Sequence, residues 1–144
     1  MLLNEKLVLE VGNKILEEAV TEADLDAVFQ AFEEICGSDD ILLFTLKDYT
    51  ESFQFVFDEY SYAIVFEKGV CKTVKGTIQF LDVTYWIHKE VALDIINGRV
   101  YSAVAHMNGD VDYIGYKDSA IRFIAILENA LDGIAGMAKE KGAS

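Results

Sequence analysis

The chain has 144 residues, of which 52% are apolar, and its 25 acidic against 12 basic residues give a formal net charge of −13. This length and apolar content favour a single domain, residues 1–144, with a core of its own, and they exclude intrinsic disorder. The two cysteines, Cys36 and Cys71, lack the spacing of a disulfide framework or a zinc ribbon. We therefore expect a reducing, cytoplasmic location.

Charge and hydropathy patterning exclude several further classes. No apolar run reaches ten residues, which excludes a transmembrane helix, and Glu5, Lys6 and Glu10 interrupt the region where a signal peptide would need an apolar stretch. Residues 1–70 hold 16 acidic and 4 basic side chains, against 9 and 8 in residues 71–144. Because this acidic excess repels phosphates, we expect no nucleic-acid partner and no stable membrane anchoring.

Two amphipathic helices are predicted at the start of the chain. Apolar residues recur at helical spacing from Leu3 to Ala19, and again from Leu25 to Cys36. Thr21 and Asp24 resemble a capping box for the second helix, and Gly37 is typical of its end. The following segment, 41–46, fits either a third short helix or a buried strand.

The pattern changes to strands after residue 50. Phe53, Phe55 and Phe57 alternate with a period of two, and aromatic or β-branched residues continue to position 66. Lys68-Gly69 is typical of a hairpin turn, and further β-segments are predicted at 70–74, 77–80 and 83–88. Four β-segments in succession without a helix between them indicate an antiparallel sheet.

Helical spacing returns at Lys89–Ile96 and ends at Asn97-Gly98. Segment 99–107 fits either a strand, paired with 110–114 through a turn at Asn108-Gly109, or a helix that ends at the same dipeptide. A last helix is predicted from Ala120 to Ile134.

The polar residues form no recognisable catalytic or metal motif. His88 and His106 are 18 residues apart, and the glycines match no nucleotide-binding pattern, so we expect no metal and no cofactor. Two arrangements remain open as enzyme sites, namely a Cys71–His88 pair and the carboxylates of Asp110 and Asp112. A thiolate pair is disfavoured by the acidic surroundings, and the two aspartates fit a solvated strand face.

The order of features from Tyr60 to Leu131 resembles the sterol carrier protein 2 (SCP-2) family of lipid-binding domains. Residues 62–76, YAIVFEKGVCKTVKG, resemble its hairpin, and residues 83–99, VTYWIHKEVALDIINGR, resemble its strand leading into a short helix. Residues 102–115, SAVAHMNGDVDYIG, resemble its helix followed by a strand, before the final helix KDSAIRFIAILENAL. The resemblance covers about half of the chain, and it implies that segment 99–107 is helical, with Gly109 as its stop.

The expected fold is α+β, with an antiparallel sheet of about five strands covered by helices on one face. Residues 1–50 would form a helical part, 51–88 antiparallel strands, and 89–135 helices with one further strand near 110–114. The resemblance implies an apolar tunnel between sheet and helices for a lipid or another hydrophobic small molecule, with no catalysis. The candidate lipid-binding residues are Phe55, Ile87, Ile96, Val104, Met107, Phe123, Ile124 and Leu127.

Two other functions remain open from the sequence. One is a protein-interaction module with a filled core, in which the acidic first half binds a basic partner. The other is an enzyme that acts on a hydrophobic substrate through the polar residues named above. The oligomeric state is also open, and a homodimer is one of the options.

Overall fold

The computed structural model describes residues 4–79 and 81–143. A 3₁₀ turn, Glu22–Asp24, precedes the second helix. The other elements, in chain order, are α1 Glu5–Leu16, α2 Leu25–Cys36, α3 Asp40–Thr45, β1 Glu51–Phe57, β2 Tyr60–Glu67, β3 Val70–Lys75, β4 Val83–Ile87, α4 Lys89–Ile96, α5 Ser102–Met107, β5 Val111–Gly115 and α6 Lys117–Ala143. The predicted α+β class is confirmed. None of these described helices combines the length and the hydropathy needed to span a bilayer.

The five strands form one sheet in the order β3-β2-β1-β4-β5. The pairs β1–β2, β2–β3 and β4–β5 are antiparallel, as expected, whereas β1 and β4 are parallel, with Phe53 opposite Val83 and Val56 opposite Trp86. The expected sheet is therefore corrected to a mixed one. The reason is that the chain leaves the β3 edge and crosses to the far side of β1 before β4 begins.

Gln54 holds this crossing segment, residues 76–82, against the sheet. Its buried amide nitrogen donates to the carbonyl oxygens of Tyr62 and Gly76 at 2.9 Å each, and its oxygen accepts from the amide of Ile78 at 3.1 Å. The strand predicted at 77–80 does not form over 77–79, and Phe80 lies outside the described residues. The side chain of Gln54 thus accepts the amide of Ile78, which a neighbouring strand would otherwise do.

Helices α1 and α6 pack against each other in close contact at Gly12. A Cβ atom at Gly12 would lie 2.6 Å from the carbonyl oxygen of Ile134 and 2.8 Å from the Cβ of Ala138. Helix α1 is shorter than the predicted Leu3–Ala19, because it begins after the Asn4 cap and ends at Leu16, and Ala19 is exposed. Leu3 lies outside the described residues.

The ambiguous segments are both helical. In α3 the Asp39 carboxylate accepts the amide of Leu42 at 3.0 Å, which is the bond expected of a helix cap, and Leu42 is buried. Residues 102–107 form α5, so the helix that the resemblance implied over 99–107 is confirmed for those six residues, whereas residues 99–101 precede it without helical structure.

Helix α2 lies along the outer strand β3. The Glu33 carboxylate accepts the backbone amide of Thr73 at 2.6 Å, so a side chain takes an edge hydrogen bond of the sheet. Cys36 and Cys71, also on α2 and β3, are both free and buried.

Candidate functional site

A cavity lined only by apolar side chains lies between the sheet and helices α2, α4 and α6. It encloses a void of about 70 Å³, and no polar atom of the described residues contributes to its surface. Its walls come from every one of these layers: Val28, Phe29, Phe32, Phe55, Phe57, Ile64, Ile87, Ala92, Ile95, Ile96, Phe123, Leu127 and Leu131. A site of this composition offers no hydrogen bond to a ligand, and it selects by apolarity and shape alone.

Aromatic rings form the floor of the cavity. The period of two in β1 points Phe55 and Phe57 toward the helices. There the ring centroid of Phe29 lies 6.0 Å from that of Phe55 and 6.1 Å from that of Phe57. Phe123 of α6 lies 5.1 Å from Phe55, and Tyr85 stacks on Phe55 from the neighbouring strand at 5.3 Å. Rigid rings that meet at angles leave gaps that aliphatic side chains would close, which accounts for a void at this level of the core.

The structure brings some of the candidate residues together and separates the others. Phe55, Ile87, Ile96, Phe123 and Leu127 line the cavity. Val104 and Met107 lie on the outer face of α5, where they are 43% and 86% exposed, and Ile124 is half-buried outside the lining.

Sequence reasoning missed the contribution of α2. Val28, Phe29 and Phe32 line the cavity, yet the resemblance covers only residues 60–131 and named no wall from the first helices. The signal was present, because two phenylalanines lie on the buried stripe of an otherwise acidic helix. Ile95 and Leu131 also belong to the lining, and each lies on a helix face that the spacing had identified as buried.

Helix α4 covers the cavity with Ala92, Ile95 and Ile96, and polar contacts hold its first turn. Lys89 Nζ lies 3.1 Å from carboxylate oxygens of both Glu22 and Glu59. Asp58 accepts the backbone amide of Lys89 and pairs with His88 Nδ1, both at 3.0 Å. These bonds join α4 to the α1–α2 connection and to the β1–β2 turn.

The same contacts shift the pKa values of the groups involved. The hydrogen bond from Lys89 holds the pKa of the Glu22 carboxyl below its ordinary value. The backbone amide of Lys89, followed by His88, does the same to the pKa of Asp58. Hydrogen bonds to Glu22 and Glu59 raise the pKa of Lys89, so Glu22, Asp58 and Lys89 are charged at neutral pH.

A buried amide holds the other end of α4. Asn97 is 3% exposed, and its side chain accepts the amide of Val20 at 2.9 Å and donates to the Val20 carbonyl at 3.0 Å. Arg99 adds a hydrogen bond to the carbonyl of Glu18 at 2.7 Å. Both ends of α4 are therefore attached to the segment that joins α1 and α2.

Of the two arrangements considered as enzyme sites, the Cys71–His88 pair is not assembled, whereas Asp110 and Asp112 lie together in a surface depression that Asp58 and His88 also line. Cys71 lies on β3 and His88 follows β4, so two strands and about 14 Å of sheet separate them. A hydrogen bond with Cys36 and burial raise the pKa of the Cys71 thiol, which opposes thiolate formation. Asp110 and Asp112 are both exposed, as expected of a solvated face.

Comparison with known proteins identifies the fold. No family model and no curated protein sequence matches the chain. Among solved structures, the sterol carrier protein domain 2 of Helicoverpa armigera matches with a TM-score of 0.60 and 19% identity, over 81% of this chain and 94% of that one. The palmitated sterol carrier protein 2-like 2 of Aedes aegypti matches with a TM-score of 0.55 and 15% identity, over 69% and 89%.

An enzyme also contains this fold as a part. A stereoselective inverting sec-alkylsulfatase from Pseudomonas sp. matches with a TM-score of 0.54 and 19% identity, over 75% of this chain. The chain spans only 16% of the length of that enzyme. Together, these matches establish the SCP-2-like fold.

Proposed function

We propose that this protein of SCP-2-like fold binds the apolar chain of a lipid, or another hydrophobic small molecule, in the cavity beneath α4 without chemical change. The observation that carries the proposal is a lining to which only apolar side chains contribute. A structural neighbour in a palmitated form supports a long-chain acyl ligand. The proposed function requires no catalytic group, metal or cofactor.

Burial of a hydrocarbon chain supplies enough free energy for such binding. Each methylene group transferred from water contributes about 0.8 kcal/mol, so a chain of about 16 carbons gains on the order of 12 kcal/mol before entropic costs. Polar groups are not needed for affinity, and their absence leaves the site tolerant of different chains.

We further propose that α4 moves outward to admit the ligand. The void of about 70 Å³ is roughly half of the ~150 Å³ that accommodates benzene in an engineered protein cavity, so one wall has to yield. Helices α1 and α6 are in close contact at Gly12, whereas α4 is attached through polar groups at its two ends. The ion pairs of Lys89 are partly exposed and can exchange with water, and α4 is a helix of only eight residues, so we place the movement there.

The first experiment is to purify the protein under non-denaturing conditions, measure its native mass and identify whatever organic solvent extracts from it. We expect one bound lipid per chain, or a stoichiometric mass shift when the apo protein is incubated with palmitate. If neither occurs with fatty acids, acyl-CoAs or isoprenoids, lipid binding is rejected. Salt-sensitive co-purification of a basic protein would then favour the interaction module.

A matched pair of variants on α6 tests whether the ligand binds in the cavity. Leu127 lines the cavity, whereas Ile121 on the same helix is 53% exposed and lies outside it. Leu127→Asp brings a charge to the cavity wall, and we expect it to weaken binding of a fluorescent fatty acid at least about tenfold. Ile121→Asp should change the affinity less than about twofold, and equal losses in both variants would place the ligand elsewhere.

A further inference from the structure

A second pocket shares the residue Phe29 with the apolar cavity. It opens to solvent between the first half of α2 and strand β3, and it has a volume of about 160 Å³. Phe29 lines both spaces, and its ring stacks on that of Tyr62 with the centroids 4.2 Å apart. We call the second space the α2–β3 pocket. Rotation of the Phe29 ring would join an entirely apolar void to a pocket that water reaches.

The α2–β3 pocket carries polar groups whose charges cancel. The Lys75 ammonium lies 3.2 Å from the Asp26 carboxylate, which also accepts the hydroxyl of Tyr62 at 2.5 Å. Gln30 lines the pocket and is exposed, and its side-chain amide forms no hydrogen bond in the part of the chain that the structure describes. The pocket therefore offers a free amide beside a neutralised ion pair.

Both polar surfaces that adjoin the cavity are unfavourable for an anion. In the α2–β3 pocket, Lys75 is already paired, and the Glu33 carboxylate, which accepts the amide of Thr73, adds a negative charge nearby. The depression that shares Ile87 with the cavity is lined by three aspartates and by a histidine bonded to one of them: Asp58, Asp110, Asp112 and His88. A carboxylate that gives up part of its hydration here gains no free cation in return, whereas an uncharged group loses less.

We propose that the α2–β3 pocket binds the polar head of the ligand, and that its Asp26–Lys75 pair selects an uncharged hydrogen-bonding head, such as a hydroxyl or a primary amide, over a carboxylate. This inference rests on the proposed function, because it places the head of a ligand whose chain lies in the cavity. Phe29 turns aside to join the two spaces, and the Gln30 amide donates to the head and accepts from it. The ion pair stays intact, whereas a carboxylate would have to compete with Asp26 for Lys75.

The test begins with four ligands that share one chain and differ in the head. Dodecanol, dodecanamide, dodecanoate and dodecylamine are used to displace a fluorescent apolar probe at neutral pH and about 0.15 M salt. We expect dodecanol and dodecanamide to bind about tenfold more tightly than dodecanoate. Equal affinities would overturn the head-group site and leave lipid binding in place, whereas failure of all four ligands rejects both. Tightest binding by dodecylamine would place the head among the three aspartates and overturn the proposal.

Asp26→Asn is the decisive variant, because it keeps an acceptor for the Tyr62 hydroxyl and frees Lys75 to bind an anion. We expect it to tighten the binding of dodecanoate about fivefold and to change that of dodecanol less than about twofold. Asp132→Asn is the matched control, since it removes an equal charge from an exposed position on α6 outside both spaces. The proposal is overturned if the two variants have the same effect on dodecanoate.

A second pair of variants tests the amide. Gln30→Ala should weaken the binding of dodecanamide about fivefold, because one hydrogen-bonding partner of the head is lost. Gln79→Ala changes another exposed glutamine, in the crossing segment and outside the pocket, and should alter the affinity less than about twofold. A Gln30→Ala variant that binds dodecanamide as the wild type does would also overturn the proposal.

Discussion

At the crossing of α1 and α6 two helix backbones are in contact, whereas beneath α4 the facing side chains leave a void. The difference comes from residue size, because a glycine at position 12 lets the helices approach, and rigid phenylalanine rings beneath α4 prevent full closure. The attachments differ in part: apolar packing and the Lys141–Glu5 ion pair join α1 to α6, whereas α4 combines the packing of its apolar face with polar groups at both of its ends. Under the proposed function, the region beneath α4 is the one that exchanges a ligand.

The largest expected effect is at the helix crossing. Gly12→Ala places a methyl group 2.6 Å from the carbonyl oxygen of Ile134, so the helices have to separate. We expect a loss of about 2 kcal/mol in unfolding free energy, measured by urea denaturation, despite the better helix propensity of alanine. Gly136→Ala on α6 is the control, since a Cβ there meets nothing within 4 Å, and it should stabilise by about 0.5–1 kcal/mol. A neutral Gly12→Ala variant would contradict the close contact.

The second prediction distinguishes a loss of folding stability from faster release of the ligand. Asn97→Ala removes both hydrogen bonds to Val20 and leaves buried backbone groups unpaired, which should cost about 2 kcal/mol. Because the same bonds hold α4, the dissociation rate of a bound fluorescent fatty acid should rise about tenfold.

Gln54→Ala is the control for that variant. Gln54 is also buried and also bonds backbone groups, but its hydrogen bonds go to Tyr62 on β2 and to Gly76 and Ile78 in the crossing segment. We expect a similar loss of stability with an unchanged dissociation rate. Equal acceleration in both variants would mean that release follows global stability rather than movement of α4.

The smallest effect concerns pH at the first turn of α4. The pKa values of Glu22 and Asp58 are lowered in the folded protein, so their stabilising contribution is present above about pH 5 and declines as the pH falls below about 4. The raised pKa of Lys89 keeps its contribution intact up to about pH 10. Ligand release should therefore be about two- to threefold faster at pH 3 than at pH 7.

Lys89→Met provides the check on this assignment. This variant should release the ligand faster already at pH 7, and lowering the pH should accelerate it less than the wild type. If the variant keeps the full pH dependence, other carboxylates are responsible.

Local pattern predicted most of the elements, but it left segments 41–46 and 99–107 open, predicted a strand at 77–80 that does not form over 77–79, and did not show how all strands pair. The helix of residues 25–36 and the alternation in β1 follow from spacing alone, since one buried face fixes each. The parallel pairing of β1 with β4 could not be predicted, because it depends on a crossing segment that Gln54 holds through two hydrogen bonds, to Gly76 and Ile78. A lone buried glutamine in a strand carries no signal of what it binds.

Some of the residues that line the cavity could likewise be predicted from the sequence, and others could not. Phe55 and Phe123 lie on faces whose burial the spacing predicts, and burial there brings them to the cavity. Val104 and Met107 were named from the resemblance, yet α5 buries only Ser102 and Ala105, so the larger side chains face outward. A residue list cannot distinguish a filled core from a hollow one, since the void depends on how the rings of Phe29, Phe55 and Phe57 are tilted.

The Glu33–Thr73 hydrogen bond has a consequence for self-assembly. An incoming strand from another molecule would need the amide of Thr73 to extend the sheet beyond β3, and the carboxylate of Glu33 already occupies that donor. A second strand would have to displace a charged acceptor before it could pair. At Thr73 the edge strand β3 is thus protected against fibril-type growth.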